Sequence, residues 1–210
     1  MADDLVPFLN YALRTAETKI SSSFGKRCRI EIVIDMDEAL MEVVQSIDHQ
    51  KFRPELQYSP DELHERGTKK GFVLFLVRRG GEPVAALFGY TDPTDGQGFF
   101  LDSVATLLEG KGVSSILVLL ALIYCYEAGY GYVQLYTEEE DEKGMRLRQF
   151  YEHLGFHVTL GDPLNGLCMK HDLSPNTLNS LYYKYLNMGE ENQRASPHPA
   201  MFYHDDDRSL

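Results

Sequence analysis

The sequence predicts an α/β fold, a sheet flanked by helices, and three stretches carry that prediction. Gly71–Thr91, "GFVLFLVRRGGEPVAALFGYT", is two β-rich runs joined by a Gly-Gly turn, the pattern of a hairpin. "GFFLDSVATL" leads through the turn "EGKGVSS" into a run that is apolar from Ile116 to Tyr126, and then into "YVQLYT". That order of strand, glycine turn, buried helix and strand is a βαβ unit, whose helix covers a sheet and can be apolar nearly all round. "FHVTL" and "LCMKHDL", turned by "GDPLNG", add two further strands.

The chain has 210 residues, 43% hydrophobic and 25% charged, enough to bury one core. Against 20 basic side chains stand 32 acidic ones, a formal charge of −12. An extended phosphate backbone is repelled by that balance and a cationic ligand is drawn in, so direct nucleic-acid binding is not expected. Cys28, Cys125 and Cys168 lie far apart with no paired spacing, which points to a reducing compartment, the cytoplasm with the nucleus still open, and to no metal site. Each reads as a small buried hydrophobe.

Residues 1–26 read as an N-terminal helical extension. Leu5, Phe8, Leu9, Ala12, Leu13, Ala16 and Ile20 mark its apolar face, and Ser21 to Gly25 end it. Its acids stand where a secretory signal needs positive charge, so it is expected to stay in the mature chain. Such an apolar face also permits a homodimer. The main domain is read as 27–173. In it "RCRIEIVID" is a strand, followed by a helix from near Asp35 with Ala39, Leu40, Val43, Val44 and Ile47 as its buried stripe. "SPDE" starts another helix: Ser59 caps it, Pro60 suits its first turn and Glu62 completes a capping box. The run Ile116–Tyr126 is well short of the roughly 18 to 20 residues that span a bilayer, so no membrane span is expected. After the acids Glu138 to Glu142 comes a helix, "GMRLRQFYEHLG". Residues 174–188 hold a last helix around "NTLNSLYYKYLN". Residues 189–210 form a polar tail with no apolar period, expected to be disordered.

Glycines between a strand and a helix let main-chain N–H groups converge at a helix N-terminus, where an anion such as phosphate is favoured. Gly110-Lys111-Gly112 is followed by Val113, so a Walker loop is excluded, and no third glycine completes a dinucleotide fingerprint.

"FFLDSVATL", "EGKGVSS", the buried helix, "YVQLYT" and "RQFYEHLGFHV" together resemble the core of the GNAT superfamily of Gcn-type N-acetyltransferases. Phe150-Tyr151-Glu152-His153-Leu154-Gly155-Phe156 matches the family's Phe-Tyr-x-x-x-Gly-Phe in full. The family's turn has the form Gln/Arg-x-x-Gly-x-Gly/Ala; here Glu109 and Ser114 depart from it. Gly144 occupies a position where the family often has asparagine. The resemblance implies a GNAT acyl-CoA N-acyltransferase fold, with a central, mixed, mostly antiparallel twisted sheet flanked by helices. It also implies acetyl-CoA as co-substrate, with the turn residues Glu109, Gly110, Lys111, Gly112, Val113, Ser114 and Ser115 at its diphosphate. Main-chain N–H groups around Val104, Ala105 and Thr106 would polarise the thioester carbonyl, where the family's two central strands splay apart. Tyr151 would stand beside the sulfur.

Acetyl transfer to an amine needs a base, a polarised carbonyl and a protonated leaving sulfur. Asp102 is the candidate base: a strand interior is a poor place for aspartate, and its apolar neighbours would make its carboxyl a stronger base. Glu138 or Glu139 are alternatives. Tyr151 is the candidate acid, since a phenol is still protonated at pH 7. The acids Glu138 to Glu142 either attract a cationic amine or form a solvated loop. Two readings follow. One is a cytosolic N-acetyltransferase acting on a primary amine, either a cationic small molecule or a peptide lysine, by direct attack in a ternary complex. The other is a catalytically weak or inactive GNAT-fold module that binds acyl-CoA weakly or not at all and serves protein interaction or regulation.

Overall fold

Among the described residues seven strands make one sheet in the order β1-β2-β3-β4-β5-β7-β6: β1 Cys28–Val33, β2 Val73–Arg79, β3 Glu82–Thr91, β4 Gly98–Thr106, β5 Tyr132–Thr137, β6 His157–Asp162 and β7 Gly166–Asp172. The computed structural model describes residues 7–141, 144, 146–162 and 166–187. The tail read from Gly189 lies outside them, as do Leu5 and Glu142. All pairings are antiparallel except that of β4 with β5, which closes the βαβ unit read in the sequence.

The run in β2 is continuously apolar because the sheet is covered on both faces. Val73, Phe75 and Val77 enter one core, while Leu74 and Leu76 enter the other. On the first face lie α1 (Pro7–Phe24), α4 (Val113–Glu127) and α6 (Pro175–Leu186); on the second lie α2 (Glu38–Lys51) and α3 (Pro60–Gly67). A single 3-10 turn, Pro54–Leu56, joins α2 to α3.

Helix α4 shows why its sequence has no polar face. Ten of its fifteen residues are buried. The sheet covers one side, and α1 and α6 pack on the other, so no stripe is left for water. Burying a leucine on such a helix contributes on the order of 1.5–3 kcal/mol. No helix among the described residues is long and apolar enough to cross a membrane.

Local signals set the helix starts. The Ser59–Glu62 capping box is formed in both directions. Helix α2 begins at Glu38, three residues later than read from the sequence, because Asp37 caps it by accepting the Leu40 N–H at 2.8 Å. Helix α5 is only Leu147–Glu152, half of the stretch read as helical. All three cysteines are free and buried.

Candidate active site

The first feature is a gap. Strands β4 and β5 pair only at Gly98↔Tyr132, Phe99↔Val133 and Phe100↔Gln134. Beyond these residues β4 stays on β3 as far as Thr106, and β5 stays on β7 as far as Thr137. The two central strands therefore diverge, which is the splay that the resemblance implied. A bulge sits at its start, where Gly89 faces Leu101 but Phe88 faces Ser103, leaving Asp102 as the extra residue. Leu107 donates its N–H to the Val84 carbonyl on the β3 side (2.9 Å). Peptide groups alternate along a strand, so the N–H groups of Val104 and Thr106 face the gap. Ala105 turns its N–H toward β3 instead.

The glycine turn borders the same gap, because β4 runs straight into it. Gly112 is the N-cap of α4 at φ +71°, and Gly110 has φ +73°. At such angles a side chain is strained, and glycine is not. Gly112 has no side chain to cap the helix, and among the described residues no side chain bonds its first N–H groups. Its first bond runs from the Ile116 N–H to the Gly112 carbonyl (3.0 Å), so the N–H groups of Val113, Ser114 and Ser115 have no helical acceptor. A Cβ built on Gly110 or Gly112 would meet nothing within 4 Å. The space above the turn is therefore open, and its donors and helix dipole fit a diphosphate. Val113 is buried, Lys111 is exposed, and the two serines are half-buried. The Glu109 Oε1 lies 3.2 Å from the Nζ of Lys51, at the end of α2.

Tyr151 lies on α5, and the Tyr-x-x-x-Gly-Phe spacing has a physical reason. Phe156 donates its N–H to the Tyr151 carbonyl (3.0 Å), and Gly155 donates to that of Glu152 (3.0 Å), with Gly155 at φ +84°. This Schellman ending stops the helix directly after the tyrosine. The phenylalanines then hold its ring, with centroids 4.9 Å away for Phe150 and 5.6 Å for Phe156. Burial pushes the Tyr151 hydroxyl up to about 12, and no described residue hydrogen-bonds it.

Asp102 occupies the other face of the sheet, and its surroundings correct the expectation of apolar neighbours. Its side chain is 10% exposed and meets Arg66, whose Nε donates to Oδ2 at 2.7 Å; the Tyr58 hydroxyl donates to Oδ1 at 3.3 Å. The Arg66 guanidinium also lies 4.5 Å above the Tyr58 ring. Burial, then the Asp102 carboxylate, push the Tyr58 and Tyr90 hydroxyls up beyond the ordinary phenol range, so both remain donors. Tyr151 packs with the α4-side core and Asp102 with the α2/α3 side. The structure thus places the two candidates on opposite faces of the sheet and joins them by no contact.

The acidic run is largely paired. Glu138 meets Arg53 at 3.1 Å, Glu139 meets Arg148 at 3.2 Å, and Glu140 lies 4.0 Å from Arg146. Its charge is thus offset locally, which weakens its expected pull on a cationic amine. Sequence reasoning missed Arg66, Tyr58 and Lys51, and it gave Arg53 no role. No local pattern ties Arg66 to an acid 36 residues away. Among the described residues no cluster of side chains could hold a metal ion.

A mixed seven-stranded sheet, parted at its one parallel pair beside an uncapped helix start, is the GNAT N-acyltransferase fold. The chain belongs to the acetyltransferase (GNAT) family, whose profile matches residues 40–156, more than half of its length. Solved structures agree. The ribosomal-protein-S18-alanine N-acetyltransferase of Escherichia coli superposes with a TM-score of 0.56 at 12% identity, covering 69% of this chain and 94% of that one. The PaiA N-acetyltransferase of Thermoplasma acidophilum, solved with coenzyme A, has a TM-score of 0.56 at 14% identity, covering 69% and 99%. Naa50 of Arabidopsis thaliana, solved with a bisubstrate analogue, has a TM-score of 0.53 at 14% identity, covering 68% and 98%. At these identities the likeness carries the fold alone. No curated protein matches the sequence significantly.

Proposed function

We propose that the protein transfers the acetyl group of acetyl-CoA to a primary amine, a cationic small molecule or a peptide lysine, by direct attack in a ternary complex. The observation that carries this reading is the meeting of three features at one gap in the middle of the sheet: the parted β4 and β5, the N–H groups of Val104 and Thr106 turned into that gap, and the uncapped start of α4. The co-substrate supplies an activated thioester, and the chain's residues do the rest. The N–H groups of Val113, Ser114 and Ser115, with Gly110, Lys111 and Gly112 around them, hold the diphosphate. Val104 and Thr106 donate to the carbonyl oxygen as it gains charge. Tyr151 donates its O–H to the departing sulfur, and Asp102 receives the proton of the amine from the opposite face. To take that proton, Asp102 must loosen its bond to Arg66.

Relatives of the same fold that acetylate an alanine or engage a peptide-like analogue support an amine acceptor. Three free, buried cysteines suit a reducing compartment, and we place the protein in the cytoplasm or nucleus. The test is thiol release from acetyl-CoA with a panel of polyamines, aminoglycosides and lysine-bearing peptides. Release with at least one amine, well above hydrolysis, is expected. Binding of acetyl-CoA with no release from any amine would leave a binding module. Absence of both binding and release would end the reading.

A further inference from the structure

Glu109 is the residue that fits the turn least. It directly precedes Gly110 in a turn whose donors suit an anion, and two unit charges of like sign about 4 Å apart repel by ~1 kcal/mol in water. The structure supplies a counter-charge from another element. Lys51 closes α2, 58 residues earlier in the chain, and its Nζ lies 3.2 Å from the Glu109 Oε1. Its side chain is 23% exposed against 56% for Glu109, so the lysine is the better-anchored partner of the two. The segment that carries it is itself held. Phe52 donates its N–H to the Asp48 carbonyl at 2.9 Å, the Gln57 side chain donates to the Phe52 carbonyl at 2.7 Å, and Arg53 reaches Glu138 beyond β5.

We propose that Lys51 is a cofactor-positioning residue: it neutralises the Glu109 carboxylate and draws it toward α2, so that the turn can accept a diphosphate. The inference rests on the reading that the turn at Gly110–Ser115 holds coenzyme A. Lys51 acts through Glu109 and does not itself touch the phosphates. Its loss therefore matters only while the carboxylate is present.

A double-mutant cycle on coenzyme A affinity tests this, measured by calorimetric titration of the full chain. Lys51→Met keeps the aliphatic stem and removes the charge; Glu109→Gln removes the carboxylate and keeps its shape. Loss of a surface pair costs only ~0–1 kcal/mol of stability, so both variants fold. Lys51→Met should raise Kd about threefold to tenfold, the scale of an exposed charge contact. Glu109→Gln should bind at least as tightly as the parent. The double variant should return to within about twofold of Glu109→Gln. An unchanged Kd in Lys51→Met overturns the inference, and so does an equal loss in both backgrounds, which would mean direct phosphate contact. A parent chain that fails to bind coenzyme A overturns the underlying reading as well, so the two failures are told apart.

Discussion

Replacing Tyr151 by phenylalanine removes one oxygen and leaves its packing in place. The Phe150 and Phe156 rings, at 4.9 and 5.6 Å, still meet the same faces, and no described residue loses a hydrogen-bond partner. Stability should stay within ~0.5 kcal/mol of the parent. The kinetic effect follows from the phenol's surroundings. Burial pushes the hydroxyl up to about 12, which makes it a weaker acid than a thiol at about 8.5. Full proton transfer to the departing sulfur is then uphill, and the hydroxyl acts chiefly as a hydrogen-bond donor to a developing thiolate. Such a bond to a charged group contributes about 1.5–3 kcal/mol, or roughly tenfold to 150-fold in rate. The assay is kcat from thiol release between pH 6 and 10, with acetyl-CoA affinity measured separately. The parent's profile should show no fall assignable to Tyr151 in that range, because the phenol remains protonated. Tyr151→Phe should lower kcat at least tenfold with Kd unchanged. An unchanged kcat refutes the donor role, and a lost affinity at constant kcat would make the tyrosine part of the binding wall only.

Three further outcomes are expected. Asp102→Asn should lower kcat at least tenfold, whereas Arg66→Met, which removes the same 2.7 Å ion pair but keeps the carboxylate, should lower it far less; equal losses would reduce Asp102 to an anchor for α3. Glu127 on α4 accepts the Leu9 N–H of α1 at 3.1 Å, and burial pushes its carboxyl up to about 7, so the folded state holds the proton more tightly than the unfolded chain does. Its contribution to stability is full below about pH 4.5 and is lost as pH rises through about 7. Denaturant midpoints of Glu127→Gln should therefore decline less than the parent's over that window; parallel curves would contradict the assignment. Leu120, fully buried in α4, should cost about 3 kcal/mol on truncation to alanine and lower Tm by about 6–12 °C; a loss under 1 kcal/mol would mean that the side chain is not packed in the core as described.

What could be read in the sequence was local. Gly-Gly between two β-rich runs, Ser59 three residues before Glu62, and the short strand "YVQLYT" after the buried helix are each set within a few residues, and each element formed as read. Helix α4 was legible as buried but not fully explained, because its outer cover comes from α1 and α6 at the two ends of the chain. The splay itself leaves no residue signature, since it is the place where two strands stop bonding. It was expected only by likeness to a family. Long-range ion pairs were equally silent: Asp102 read as an acid among apolar neighbours until Arg66 of α3 was set against it. Arg146 and Arg148 follow the acids Glu138 to Glu142 closely, and their spacing was a signal that the run could be neutralised from nearby.

The central claim is that coenzyme A rests on main-chain N–H groups of the turn and the parted strand. Amide chemical-shift mapping on the isotope-labelled chain, titrated with coenzyme A, reads those groups directly. The largest shifts should fall on Gly110 to Ser115, with Val104 and Thr106 next once the acetylated form is used. Saturable binding that leaves those amides in place while moving residues elsewhere would contradict the account.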